Sequence, residues 1–189
     1  MPDARPGGGG GAVFLDRDGT LAHDPGYLHD PHDVRLLPGV AEGLRRLTAA
    51  AWPLVLVSNQ SGIARGLYGP EAFGAVNRRI EELSGPPAVR FAAEYFCPHH
   101  PDIGGPCECR KPAPALFRRA AADLGLDLGR CWFVGNRVGD VSPAIGFGGR
   151  GVLVPGEGGR DEAEAAREMG IPVAADFLKA TSFILAAAP

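Results

Sequence analysis

The sequence predicts an α/β fold, a three-layer arrangement with a parallel sheet between helices, from three observations. Five short apolar runs recur along the chain, amphipathic helical patterns fill the intervals between them, and strand and helix alternate throughout. Short continuous apolar runs suit strands buried on both faces, as in a parallel sheet covered by helices. No stretch approaches the roughly 18 apolar residues of a membrane span.

MPDARPGGGGG lacks an apolar run and reads as a flexible arm over residues 1–11, ahead of a single domain at 12–189. The first strand is AVFL at 12–15. A helix follows with Val40, Leu44, Leu47 and Ala51 on one face, then the strand PLVLVS at 53–58. Pro70 suits the first turn of a second helix, whose buried face is Phe73, Val76, Ile80 and Leu83. After the strand AEYFC at 93–97, a helix beyond Pro112 buries Leu116, Phe117, Ala120 and Leu124. The runs CWFVG (131–135) and GVLVP (151–155), a weak strand at Pro172 to Ala174 and a helix through Phe177 to Leu185 complete a Rossmann-like sheet. In such sheets ligands bind at the carboxyl ends of the strands, where the strand order reverses.

Composition narrows the function classes. The chain has 189 residues, 45% hydrophobic and 22% charged, with a net charge of -3, which argues against disorder and against a polyanion-binding surface. Aromatic residues are 7% and form no stacking platform among basic residues, so neither nucleic acid nor membrane is an expected partner. With no secretory signal, a cytoplasmic monomer acting on a small molecule is expected. There thiols stay reduced, and clustered cysteines act as metal ligands or catalysts more often than as disulfides.

Four segments carry chemistry. FLDRDGT (14–20) places Asp16 and Asp18 just beyond a buried strand, with a glycine that permits an unusual turn; taken alone, it fits an ordinary aspartate–glycine turn as well. VSNQSGIARG (57–66) offers Ser58, Asn59 and loop amides to an anion, or else caps a helix. CPHHPDIGGPCECRKP (97–112) crowds together three of the four cysteines and Lys111, one of only two lysines. The fourth segment, FVGNRVGD, follows the fourth run.

In this order and at these intervals, FLDRDGT, VSNQ, the lysine of CRKP and FVGNRVGD resemble the motifs of the haloacid dehalogenase superfamily of phosphatases, from about residue 12 to 155. FLDRDGT with NQSGIARG and a CxH...CxCRKP segment resembles, more narrowly, the heptose bisphosphate phosphatases and the related histidinol phosphatases. The resemblance implies magnesium-dependent hydrolysis of a small phosphorylated metabolite. Heptose 1,7-bisphosphate, losing its 7-phosphate, is the leading substrate, and histidinol phosphate is the alternative. It makes Asp16 the nucleophile, Asp18 the acid and then the base, Ser58, Asn59, Lys111 and Arg110 the substrate contacts, and Asp16 with the Asp18 carbonyl the magnesium contacts. Arg65 is a weaker candidate for a second phosphate.

The chain departs from this pattern at Asn136, where the resembling proteins carry an aspartate; Asp140 keeps the second acidic position. Asn136 offers a neutral oxygen, so weaker magnesium binding is expected, with Asp140 compensating directly or through water. A catalytically weakened, zinc-stabilised binding module is the alternative of another class. Cys97, His99, Cys107 and Cys109 suit a closed tetrahedral zinc site bracing a loop rich in glycine and proline, with His100 competing for the histidine position. Cys131, inside an apolar run, reads as a small buried hydrophobe. Residues 21–38 are too few for a capping domain, so the active site should be open, and His23, Asp24 and Tyr27 read as solvated loop residues.

Overall fold

The structure is a computed structural model that describes residues 10–156 and 158–187. Five parallel strands, β1 (Val13–Leu15), β2 (Leu54–Asn59), β3 (Ala93–Cys97), β4 (Trp132–Gly135) and β5 (Arg150–Leu153), form one sheet in the order β3-β2-β1-β4-β5. Nine α-helices connect and cover them among the described residues, beside two short 3-10 turns: α1 (Val40–Ala49), α2 (Ser61–Ala64), α3 (Glu71–Leu83), α4 (Pro101–Gly104), α5 (Ala115–Leu124), α6 (Val138–Val141), α7 (Pro143–Phe147), α8 (Arg160–Glu168) and α9 (Phe177–Ala186). None is long and apolar enough to cross a membrane.

The strand alternation explains the layers. Val13 and Leu15 of β1 point to one face, where Leu44 and Leu47 of α1, Ile80 of α3 and Phe177 of α9 cover them. Phe14 points to the other face, against Phe117 of α5 and Phe133 of β4 at ring-centroid distances of 5.3 and 5.0 Å. Successive side chains on a strand face opposite ways, so each short run supplies two cores at once. A third, smaller cluster joins Val141, Leu153, Ala163, Ala166 and Ile171 beside β5.

Several expectations need correction at element ends. Ala51 lies beyond α1, exposed and at φ 59°, because the chain must turn into β2 there. Leu83 and Leu124 end their helices 37% exposed. The strand expected at Pro172 to Ala174 is a single parallel bridge between Val173 and Leu153. Helix α8 went unforeseen because its buried face consists of Ala163 and Ala166 alone, too little for an apolar stripe. Of the arm expected over 1–11, residues 1–9 lie outside the described residues, and Gly10 bridges Leu126.

The order β3-β2-β1-β4-β5 reverses direction between β1 and β4. The carboxyl ends of those two strands, where Asp16 and Asn136 begin the outgoing loops, therefore border a natural crevice.

Candidate active site

Asp16 extends the sheet by one hydrogen bond, its amide donating to Val134 O at 2.9 Å. The chain then curls so that the amides of Thr20, Leu21 and Ala22 all donate to Arg17 O at 3.3, 2.9 and 3.1 Å. Gly19 makes the curl possible: its φ is 79°, and a Cβ there would sit 2.6 Å from Asn136 Nδ2. Thr20 Oγ1 lies 3.0 Å from Asp16 Oδ2 and 3.2 Å from Asn136 Oδ1, so one hydroxyl gathers the oxygens of two strand ends.

Lys111 comes from far along the chain, and all its donors are engaged. Its Nζ donates to Asp16 Oδ1 at 2.7 Å, to Asp140 Oδ1 at 2.7 Å and to Val57 O at 2.6 Å. Burial, the largest influence, disfavours its charge, yet Asp140 and then Asp16 outweigh it and hold the lysine pKa above its usual value. Burial and then Asp16 raise the Asp140 pKa to about 6, against the pull of Lys111. The other oxygen of Asp140 accepts the Arg137 amide at 3.0 Å. Both oxygens of Asp140 are thus engaged within the protein.

Asn59 grips the backbone of Lys111 in both directions: Nδ2 donates to Lys111 O at 3.2 Å and Oδ1 accepts from Lys111 N at 3.0 Å. Its side chain therefore faces the lysine, where the sequence reading had it facing substrate. Ser58 is buried, and its Oγ accepts from Gln60 Nε2 at 2.8 Å.

Asp18 is held differently. Arg17 donates to it twice, Nε to Oδ1 at 2.8 Å and Nη2 to Oδ2 at 3.0 Å, and Gln60 Nε2 donates to Oδ2 at 2.6 Å. Burial is the main influence and raises the Asp18 pKa, with Arg17 opposing. A raised carboxyl is what an acid role requires.

The residues expected to meet substrate or magnesium, namely Asp16, Asp18, Ser58, Asn59, Arg110, Lys111, Asn136 and Asp140, all line one open cavity of about 530 Å³. Asp24, Tyr27, Tyr68 and Arg137 line it too, beyond the sequence reading. Arg65 does not: it contacts His100 Nε2 at 2.9 Å and lies 5.8 Å from the Tyr27 ring. Arg17, Thr20 and Gln60 were also missed. The only signal for Arg17 was a cation set between two acids.

The ligand atoms of Cys97, His99, Cys107 and Cys109 lie within 4.8 Å of one another. Cys107 Sγ is 3.6 Å from both Cys97 Sγ and Cys109 Sγ, those two lie closer together at 3.0 Å, and His99 Nδ1 is 3.2 Å from Cys109 Sγ. Bonds of ~2.3 Å to a tetrahedral zinc would set sulfurs about 3.8 Å apart, so the donor set is compatible with that ion. His100 turns away, its Nε2 against Arg65 and its Nδ1 accepting from Asp102 N at 3.2 Å. Arg110 leans on the cluster through a 3.3 Å hydrogen bond to His99 O, which ties the cavity wall to the soft ligands. The cysteines, Cys131 included, are free thiols, and Cys131 is buried.

Comparison with known proteins agrees with this arrangement. A family model described as HAD-hydrolase-like matches residues 108–180. A D-glycero-beta-D-manno-heptose-1,7-bisphosphate 7-phosphatase of Yersinia pestis is 38% identical over 176 residues, covering 89% of this chain and 94% of that one. The corresponding phosphatase of Thermosynechococcus vestitus is 41% identical over 152 residues, 76% of this chain and 78% of its own. The solved D,D-heptose 1,7-bisphosphate phosphatase of B. bronchiseptica, complexed with magnesium and phosphate, superposes with a TM-score of 0.83 at 32% identity, covering 94% of this chain and 99% of that one. With its sheet order, its paired aspartates and these relatives, the chain belongs to the haloacid dehalogenase superfamily of phosphatases, among the heptose-bisphosphate 7-phosphatases and their kin.

Proposed function

We propose that the chain hydrolyses a small sugar phosphate through an aspartyl-phosphate on Asp16, with the 7-phosphate of D-glycero-D-manno-heptose 1,7-bisphosphate as the preferred group. The observation that carries the reading is the 2.7 Å contact between Asp16 and a buried Lys111 on the cavity wall, with Asp18 two residues away. An Asp16 oxygen attacks phosphorus, Asp18 protonates the departing alcohol, and Asp18 then takes a proton from the water that hydrolyses the acyl-phosphate. Lys111, its three donors held by Asp16, Asp140 and Val57 O, offsets charge between the nucleophile and the incoming phosphate. The Ser58 hydroxyl holds a phosphoryl oxygen, Arg110 meets the rest of the substrate, and Asn59 keeps Lys111 in place.

The donor set fits magnesium. The hard oxygens of Asp16 and Asn136 converge on Thr20, and the carboxylates of Asp18 and Asp140 line the same cavity. Asp16, the Asp18 carbonyl and Asn136 would hold the ion, which would neutralise charge between the nucleophile and a phosphate dianion. Asp140 acts on the ion's neighbours by fixing Lys111. We assign Cys97, His99, Cys107 and Cys109 to a structural zinc, since all four positions are filled by protein.

Asn136 favours a second reading, a zinc-braced binding protein with little turnover. A panel of heptose bisphosphate, histidinol phosphate and nucleotides, each with magnesium, separates the two. The phosphatase reading expects the highest kcat/KM on heptose bisphosphate and an acyl-phosphate trapped on Asp16. Binding without turnover on any ester would overturn it.

A further inference from the structure

We propose that Gln60 is a positioning residue for the leaving-group step, one amide that links the acid Asp18 to the phosphate-holding Ser58. The proposal rests on the reading of Asp18 as the acid. Gln60 is 1% exposed, and each of its polar atoms has two partners. Nε2 donates to Asp18 Oδ2 at 2.6 Å and to Ser58 Oγ at 2.8 Å. Oε1 accepts from Arg17 Nη2 at 3.1 Å and from Tyr68 Oη at 2.9 Å.

A side-chain amide has two N–H donors and two acceptor lone pairs, so this one is saturated. Its orientation follows from its partners: turned over, Nε2 would face the Arg17 guanidinium, which only donates. Tyr68 is fixed in turn. Its ring packs so closely on Gly62 that a Cβ there would lie 2.2 Å from Cε1, and it stacks on His29 at 5.1 Å with the planes 6° apart. Arg17 is wholly buried and also donates to Leu28 O at 3.0 Å.

The consequence falls on two groups at once. Asp18 Oδ2 takes two donors, from Arg17 and Gln60, while Oδ1 takes one, from Arg17. Oδ1 is the oxygen left with room for the transferable proton. Ser58 Oγ, already accepting from Gln60, keeps its own hydrogen for a phosphoryl oxygen. As the bond from Asp16 to phosphorus forms, the phosphorus–oxygen bond of the ester breaks, its electron pair passes to the leaving oxygen, and that oxygen takes the proton from Asp18.

The test uses the full chain with magnesium and zinc and compares kcat/KM on two esters. p-Nitrophenyl phosphate releases a stable anion and needs no acid, whereas an alkyl phosphate such as a hexose 6-phosphate does. Loss of general-acid catalysis typically costs ~10² to 10⁴ in rate, and misplacing the acid should cost part of that. Gln60→Leu should therefore lose, on the alkyl ester, about tenfold or more beyond its loss on the aryl ester, the loss common to both esters reporting the contact with Ser58. Tyr68→Phe should shift the ratio the same way by a few-fold. Gln60→Glu keeps the shape and both acceptors but not the donors; it should follow Gln60→Leu and decides the matter if the leucine variant does not fold. Equal losses on both esters, or none, would overturn the proposal. A wild-type chain inactive on every ester would overturn the phosphatase reading instead.

Discussion

The loop from Cys97 to Lys111 and the loop from Thr20 to Leu36 both border the cavity, and they are held there by different forces. In the first, Cys97 is the one fully buried apolar side chain; the residues from Pro98 to Arg110 are exposed or half-buried. That loop gathers four soft ligand atoms within 4.8 Å of one another. In the second, Leu21, Ala22, Leu28 and Val34 are anchored in the main core, and Arg17 grips Leu28 O. On the zinc assignment proposed above, one loop would be held by ligand chemistry and should answer to chelators and oxidants. The other is held by apolar burial and should not.

The largest expected effect comes where the first loop enters the site. Lys111→Met should lower turnover by ~10³-fold or more, because buried preorganised charge carries much of such catalysis. It also leaves Asp16 and Asp140 unpaired, at a cost of about 3–5 kcal/mol. The pH dependence has a definite sign. A carboxyl such as Asp140, raised to about 6 in the folded chain, holds a proton that the unfolded chain has already released above about 4. Stability therefore falls as pH rises through that window, and the variant should regain part of its loss at pH 5, as read by denaturant midpoints. An equal deficit at pH 5 and 7 would contradict the pairing.

Next comes the contrast between the loops themselves. Cys109→Ser, or chelation of the wild type, should remove the bound zinc, lower the melting temperature and cut activity by about tenfold or more. A zinc-free protein with full activity would break the link between cluster and cavity. Leu28→Ala should cost about 2–5 kcal/mol of stability through a core cavity while zinc content stays at one equivalent. Metal analysis beside chemical denaturation reads both loops in one experiment. The smallest effect should come from Asn136→Asp, which adds a charge to the magnesium contacts and should tighten the magnesium midpoint by about tenfold. An unchanged midpoint would remove Asn136 from the metal site.

The same contrast explains what could be read in advance. Cysteine and histidine spacing encodes the first loop, and the continuous apolar runs encode β1 to β5, because soft ligands and two-sided burial leave plain marks on a chain. The second loop leaves few. Its hold on the site runs through Arg17, which in one dimension is a cation between two acids and in three is a fully buried clamp on Asp18. Asp140 was legible as an acid near the expected metal site, but its 2.7 Å pairing with Lys111 joins positions 29 residues apart that no local pattern connects. Asn59 is the instructive case: the motif placed it at the site, and only the folded geometry turns its amide toward Lys111. Helix α8 was invisible because alanines bury too little to mark a periodicity.

The central strand, β1, is three residues long and, among the described residues, is the seam that joins the two flanks of the sheet. The β2–β3 flank carries Ser58 on the cavity wall and leads into the cysteine-bearing turn; the β4–β5 flank leads into Asn136 and Asp140. Substitutions on the two flanks should therefore be separable, so that on the proposed reading a change at Asn136 alters divalent-ion handling and leaves the β2–β3 side of the cavity in place. Asp16, on the seam, and Lys111, paired with Asp16, Asp140 and Val57 O, answer to both sides, so a change at either should be felt across the whole sheet end.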